Sequence, residues 1–222
     1  DWVVDQEFDR VFLEVKLPVG EAIGIEDPDL MWGTSDIVGI KDGSFSVVDA
    51  KFGRVAVYAA KEDADGNLVH NSQAMCYLAG AMHSLADRVP GDIEGMRNVI
   101  LQPKTGNRLD DSADVSFAEL AAFRREAKEV VDLALGPDAP FRPSEDACRF
   151  CPASGSCRAQ LTEEFQELGD VDELDPANLS GEELAGWLDK VDHIISTANA
   201  LKLAALARLE VGQTIPGWKR IQ

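Results

Sequence analysis

The sequence predicts a mixed α/β fold, and three observations carry that prediction. Turn residues separate β-branched and aromatic runs near the start of the chain, capping signals open long helices later, and one late apolar run, Asn98 to Gln102, returns as a buried strand between helices. Phe12 to Leu17 alternates in strand fashion, and Pro18 to Pro28, rich in Gly, Pro and acids, reads as a loop. Thr34 to Ile40 and Ser44 to Phe52 are strands joined at Lys41-Asp42-Gly43-Ser44, a hairpin signature. Asp63 to Asn67 is a second turn-rich stretch, after which Asn71 caps a helix through Gln73, Tyr77 and Met82 to about Arg88. Ser116-Phe-Ala-Glu119 is a capping box that opens a helix to about Leu135, where Gly136-Pro137 stops it. A second box, Ser180-Gly-Glu-Glu183, opens a long amphipathic helix to about Glu210, with an apolar stripe at Leu184, Leu188, Val191, Ile195, Ala198 and Leu201. Packing on the domain or against a partner accounts for that stripe.

The 222 residues suffice for one sizeable core with a helical appendage, and 45% hydrophobic with 27% charged residues is a globular balance. No apolar run is long enough to cross a bilayer, and no basic-then-apolar segment suggests secretion, so the expectation is a soluble protein without a membrane partner. The formal charge of -19 counts against a sequence-independent grip on nucleic acid, because phosphate binding rests on clustered Lys and Arg. Any such contact must be local. Candidate patches are Lys104 with Arg108, and Arg124 with Arg125 and Lys128; a solvated helix face explains the second group equally.

The hairpin builds a charged cluster. A two-residue loop centred on Asp42-Gly43 pairs Lys41 with Ser44 and, by continuation, Asp36 with Asp49. Side chains alternate across a strand, so Asp36, Asp49 and Lys51 are expected on one face and Ile37, Val48 and Ala50 on the other. Two facing carboxylates at about 5 Å repel by roughly 3 kcal/mol at an effective dielectric near 20, so a cation belongs between them. Lys51 alone could neutralise them as a structural ion pair. The sharper reading is a divalent ion: Mg²⁺ prefers oxygen ligands and keeps several waters, and it lowers the pKa of a bound water that Lys51 could orient.

The run Gly33-Thr-Ser-Asp36, followed by Val47-Val-Asp49-Ala-Lys51-Phe-Gly53, resembles the Gly-x-x-Asp and Asp/Glu-x-Lys motifs of PD-(D/E)XK nucleases. Gln73-Ala-Met-Cys-Tyr77 is similar to the Gln-xxx-Tyr motif of the RecB-like branch, and positions i and i+4 of a helix share a face. The resemblance spans roughly Phe12 to Arg158 and is close to a phage-associated group of RecB relatives, in which a strand ending like Gln102-Pro103-Lys104 follows that helix. It implies a restriction-endonuclease-like mixed sheet flanked by helices, with a C-terminal cysteine-cluster segment and a helical appendage. It also implies a Mg²⁺- or Mn²⁺-dependent deoxyribonuclease, an exonuclease before an endonuclease, with Asp36, Asp49, Lys51, Gln73 and Tyr77 as its site and Asp36 and Asp49 as metal ligands. These nucleases carry a His or Glu on a helix before the first strand; no residue here is assigned to that role, and the element is expected to precede Asp1. Glu14 reads as an exposed strand glutamate, with approach to the metal as the alternative.

Cys148-Arg-Phe-Cys151-Pro-Ala-Ser-Gly-Ser-Cys157 has the short spacing that lets thiolates converge on one centre, and it suits a reducing compartment. The fourth cysteine, Cys76, lies within the Gln73–Tyr77 helix and reads as core. The resemblance implies a four-iron, four-sulfur cluster held by these three cysteines and one upstream of Asp1, acting as a staple; zinc is the alternative. Arg149 and Arg158 flank the loop. His70, His83 and His193 lack metal-site spacing, and no Gly-rich phosphate loop or serine-esterase elbow occurs.

The expected organisation is a nuclease domain over 1–160, an acidic linker over 161–179 and a C-terminal amphipathic helix and tail over 180–222. The expected role is phosphodiester hydrolysis on DNA in phage recombination or DNA processing, in the bacterial or phage-infected host cytoplasm, alongside a recombination or helicase partner protein. The alternatives are a catalytically inactive, metal-stapled DNA- or protein-binding module and a zinc-stabilised phage interaction protein.

Overall fold

A computed structural model of the chain describes residues 2–89, 91–104, 110–148, 151–153, 157–162 and 180–219. Two compact units divide it, Asp1–Ala139 and Pro140–Gln222. The first unit has a mixed α/β architecture. Its five-stranded sheet runs in the order β1 (Arg10–Leu17), β2 (Gly33–Lys41), β3 (Ser44–Ala50), β6 (Gly95–Leu101), β7 (Asp110–Asp114). All neighbours are antiparallel except β3 and β6, which run parallel because the chain crosses over between them through helix α3 (Ser72–Leu85).

The β2–β3 hairpin forms as its turn chemistry dictates. Asp42 and Gly43 have φ of 47° and 75°, the two left-handed residues that a type I′ turn requires, and Lys41 pairs with Ser44. Val38 and Ile40 of β2, Phe45 and Val47 of β3 and Met96 of β6 then turn one face toward α3, whose Met75, Leu78 and Ala81 complete a fully covered core. Burying a side chain of this size stabilises by about 1.5–3 kcal/mol, which outweighs any local preference in these strands. Gly80 lets α3 lie close on the sheet: a Cβ there would stand 2.9 Å from the Leu17 Cβ.

The caps predicted at Asn71 and Ser116 form. The Asn71 side chain accepts from the Ala74 N–H at 3.1 Å, and after Leu85 a 3-10 turn carries the chain to Arg88. Ser116 and Glu119 make both halves of a capping box on α4 (Phe117–Leu135).

Five elements depart from the sequence expectation. Within Pro18 to Pro28, read as a loop, Val19–Ile23 forms helix α2, with Val19, Ala22 and Ile23 buried and Gly24 left-handed at φ 78° behind it. Five residues are too few for a 3.6 period to show in sequence. Strand β7, Asp-Asp-Ser-Ala-Asp, has no apolar alternation to betray it, and its ladder to β6 at the sheet edge makes it a strand. The turn at Asp63 to Asn67 has short strands on both sides, β4 (Ala60–Glu62) and β5 (Leu68–His70). β3 ends at Ala50, short of Phe52, which is exposed.

The second unit contains α5 (Glu145–Cys148), the long helix α6 (Gly181–Glu210) and a C-terminal bridge between Ile215 and Trp218. The cysteine segment falls within residues 140–222, the second unit. Within the unit, buried Gln160 donates to the buried Thr197 hydroxyl at 3.3 Å. Among the described residues no helix is long and apolar enough to cross a membrane.

Candidate active site

At one end of the α3-covered face the apolar core gives way to polar side chains. Val47, fully buried, is followed two residues on by Asp49, 7% exposed, and then by half-buried Lys51. The period of two that feeds the core also delivers the site. Lys51 Nζ lies 2.7 Å from Asp49 Oδ2 and donates to Gln73 Oε1 at 2.7 Å. Gln73 Nε2 in turn donates to the Tyr77 hydroxyl at 3.0 Å. Gln73 and Tyr77 stand one turn apart at the start of α3, and the Lys51 ammonium, which can only donate, fixes which end of the amide faces it.

Asp36 enters differently from the alternation argument. The β2–β3 register runs as expected from Lys41↔Ser44 to Ile37↔Val48, then stops one pair short of Asp36 and Asp49. On the other side, Leu13↔Ile37 and Val15↔Ser35 flank an unpaired Glu14 and Asp36. Glu14 is left-handed at φ 50° and shifts the phase of β1: Phe12, Val15 and Leu17 face the core, while Val11 and Leu13 are exposed. The sheet opens around Asp36, whose Oδ2 accepts the Ala50 N–H at 2.7 Å in place of a ladder carbonyl. Asp36 is thus held against the backbone beside Asp49. Glu14 itself is exposed.

The electrostatics of Asp49 suit a cation. Its Oδ2 is buried, and the Lys51 ammonium lies against it at 2.7 Å. A carboxylate has lone pairs beyond the one that faces the ammonium, so Asp49 can still accept a second cation. No three His, Cys, Asp or Glu form a metal-holding group among the described residues, so a divalent ion here would rest on Asp36 and Asp49 and fill its shell with water and substrate oxygen. That is the ordinary condition of Mg²⁺.

Three supporting residues have no role assigned from sequence. Gly33, first residue of the Gly-x-x-Asp run, lies beneath the Tyr77 ring, and a Cβ there would collide with Tyr77 Cε1. Gln102, 5% exposed, clamps the segment after Lys51: its Oε1 accepts from the Val57 N–H at 2.7 Å and its Nε2 donates to the Val55 carbonyl at 2.9 Å. Asp111 accepts the Ala59 N–H at 2.8 Å. The sequence signals for Gln102 are a polar residue closing an apolar run and its place in the Gln102-Pro103-Lys104 strand ending, neither of which tells what it holds.

Lys104 and Arg124 are exposed; Arg108 and Arg149 lie outside the described residues. Cys76 packs against the small cluster of Val19, Ile23 and Ile25, and burial pushes its thiol above the ordinary range, consistent with a core role. Cys148 and Cys157 are half-buried and Cys151 exposed, all three as free thiols, with the Cys151 N–H on the Cys148 carbonyl at 3.1 Å. Residues 149–150 and 154–156 of that loop also lie outside the described residues.

A family model described as "Protein of unknown function (DUF2800)" matches residues 5–222. A solved structure titled "Crystal structure of SSO0001" is similar at 17% identity and a TM-score of 0.34, over 72% of this chain and 64% of that one. The chain therefore spans less than two thirds of the length of that structure.

Proposed function

Because this chain belongs to the DUF2800 family, described only as proteins of unknown function, we propose its activity from its own residues: a metal-dependent nuclease of the RecB-like PD-(D/E)XK type that hydrolyses phosphodiester bonds in DNA. One observation carries the reading. Asp49, Lys51, Gln73 and Tyr77 form a continuous polar chain, with Asp36 held against the adjoining backbone and the buried Asp49 Oδ2 against the Lys51 ammonium. A structural ion pair needs only Asp49 and Lys51. It would not require a glutamine and a tyrosine to orient the lysine.

Bound Mg²⁺ or Mn²⁺ would supply charge neutralisation and an acidified water. Asp36 and Asp49 would hold it. The Gln73 carbonyl draws Lys51 Nζ to a fixed point above Asp49, where the ammonium can orient a nucleophilic water or stabilise charge on a non-bridging phosphate oxygen. The Tyr77 hydroxyl accepts from the other end of the Gln73 amide and steadies its position. Exonucleolytic action in phage recombination or DNA processing, with a helicase or recombination partner in a bacterial cytoplasm, belongs to the same proposal. So does a staple of four irons and four sulfides, or of zinc, on Cys148, Cys151 and Cys157.

The test is cleavage of labelled single- and double-stranded DNA with Mg²⁺ or Mn²⁺. Lys51→Ala and Asp49→Ala should each abolish cutting while the protein stays folded, because both side chains face the polar end of the sheet. Mg²⁺ should raise the Tm of the native protein by binding the folded state, and Asp49→Ala should lose that gain. Native-rate cutting by a folded Lys51→Ala would leave a structural salt bridge and end the nuclease reading.

A further inference from the structure

Helix α6 carries a second repeat besides its general amphipathicity. From Leu184 the positions Leu188, Val191 and Ile195 follow at steps of four, three and four residues, and the same rhythm continues through Ala198, Lys202, Ala205 and Leu209. Steps averaging 3.5 residues over almost four heptads keep one seam in line along about 38 Å of helix, the pattern that fits a helical partner. The seam is uncovered in its first half: Leu184, Leu188 and Ile195 are 44%, 61% and 51% exposed. In its second half Ala198, Lys202, Ala205 and Leu209 floor a groove of about 820 Å³, walled by Leu201, Leu206 and Trp218.

We propose that this seam docks a second copy of the chain, α6 against α6 and antiparallel. A two-fold axis between Ser196 and Thr197 sets Leu184 of one copy opposite Leu209 of the other, Leu188 opposite Ala205, Val191 opposite Lys202 and Ile195 opposite Ala198. In the Leu/Ala and Ile/Ala pairs a large side chain meets a small one, so the exposed leucines and isoleucines of one helix enter the groove of the other. Charge agrees with this direction. By sequence, Glu182, Glu183, Asp189 and Asp192 outnumber Lys190 in the N-terminal half of α6, whereas Lys202 and Arg208 outnumber Glu210 in the C-terminal half. Lys202, the one charged seam residue, then sits near Asp192 of the partner subunit. A parallel pair would set Lys202 against its own copy and alanine against alanine, leaving repulsion and voids. The interface is isologous and closed, so it stops at a dimer.

Light scattering and sedimentation equilibrium of the full chain test this independently of any nuclease activity. A dimer at micromolar concentration is expected. Leu188→Asp should weaken it roughly 100-fold or more, because symmetry buries the unpaired carboxylate twice. Leu203→Asp, an equally exposed leucine off the seam, should leave it unchanged. Val191→Glu should tighten the dimer at low salt by facing Lys202; should Leu188→Asp unfold, this variant decides alone. A monomeric native chain, equal dissociation by Leu203→Asp, or loosening by Val191→Glu would each overturn the proposal.

Discussion

Gly33 and Tyr77 lie forty-four positions apart in the sequence, yet the glycine is required by the ring above it, which in turn positions Gln73 and through it Lys51. Each link is a single hydrogen bond or contact, and each is worth about 1 kcal/mol net. Gly33→Ala should therefore destabilise by about 1–3 kcal/mol, the usual cost of overpacking, and should lower activity by displacing Tyr77. Pairing it with Tyr77→Leu should relieve the clash, so a double-mutant cycle by urea unfolding should show coupling well above about 0.5 kcal/mol. Strict additivity would mean that the ring and the glycine do not press on each other. Tyr77→Phe, which keeps the ring but removes the hydroxyl that accepts from Gln73, should reduce the cutting rate several-fold and far less than Lys51→Ala, an ordering that a DNA cleavage time course reads directly.

Helix α4 shows how one capping element links sequence to pH response. The Ser116 hydroxyl, then the Ser116 N–H, and to a smaller degree His70, hold the Glu119 carboxyl below its ordinary value of 4.5. Because the folded value is depressed, the stabilisation is fully present above the ordinary value and is lost as pH falls through the lowered one. Ser116→Ala should cost about 1 kcal/mol at neutral pH, as lost N-caps do. The gap in unfolding free energy between native and variant should narrow as pH drops below 4.5, because protonated Glu119 no longer completes the box. A gap that stays constant on the acid side would separate the cap from the carboxylate. In α3 the cap serves position instead of pH response, since Asn71 fixes the first turn and that turn carries Gln73.

For the whole molecule, the formal charge of -19 sets the terms on which DNA could be approached. A long-range basic field is absent from the composition, so under the proposed function binding would draw on a divalent ion and on a few local cations, and cleavage should depend more steeply on metal concentration than on any one surface lysine. The cysteine segment raises the other question of this scale, since its three thiolates would tie chain segments through a shared centre. Iron and sulfide analysis of anaerobically purified protein should find about four of each per chain. One zinc per chain with no sulfide would assign the staple to zinc and leave the hydrolytic proposal standing.

What the sequence by itself determined was whatever rests on local periodicity and turn chemistry. Asp42-Gly43 fixed the hairpin, the period of two put Asp49 and Lys51 on one side of β3, the spacing of four put Gln73 and Tyr77 on one side of α3, and the caps at Asn71 and Ser116 started their helices where expected. Only the tertiary structure decided how Asp36 enters, because its departure from both ladders depends on a left-handed Glu14 in a neighbouring strand and on the Ala50 N–H across the gap. It likewise decided that Gly33 lies under Tyr77, that Gln102 clamps the segment after Lys51, and that the acidic stretch at Asp110 becomes a strand. The reason is physical: these features are contacts between residues distant in sequence, whose energy exists only once the sheet has brought them together, so no window of neighbouring residues encodes them.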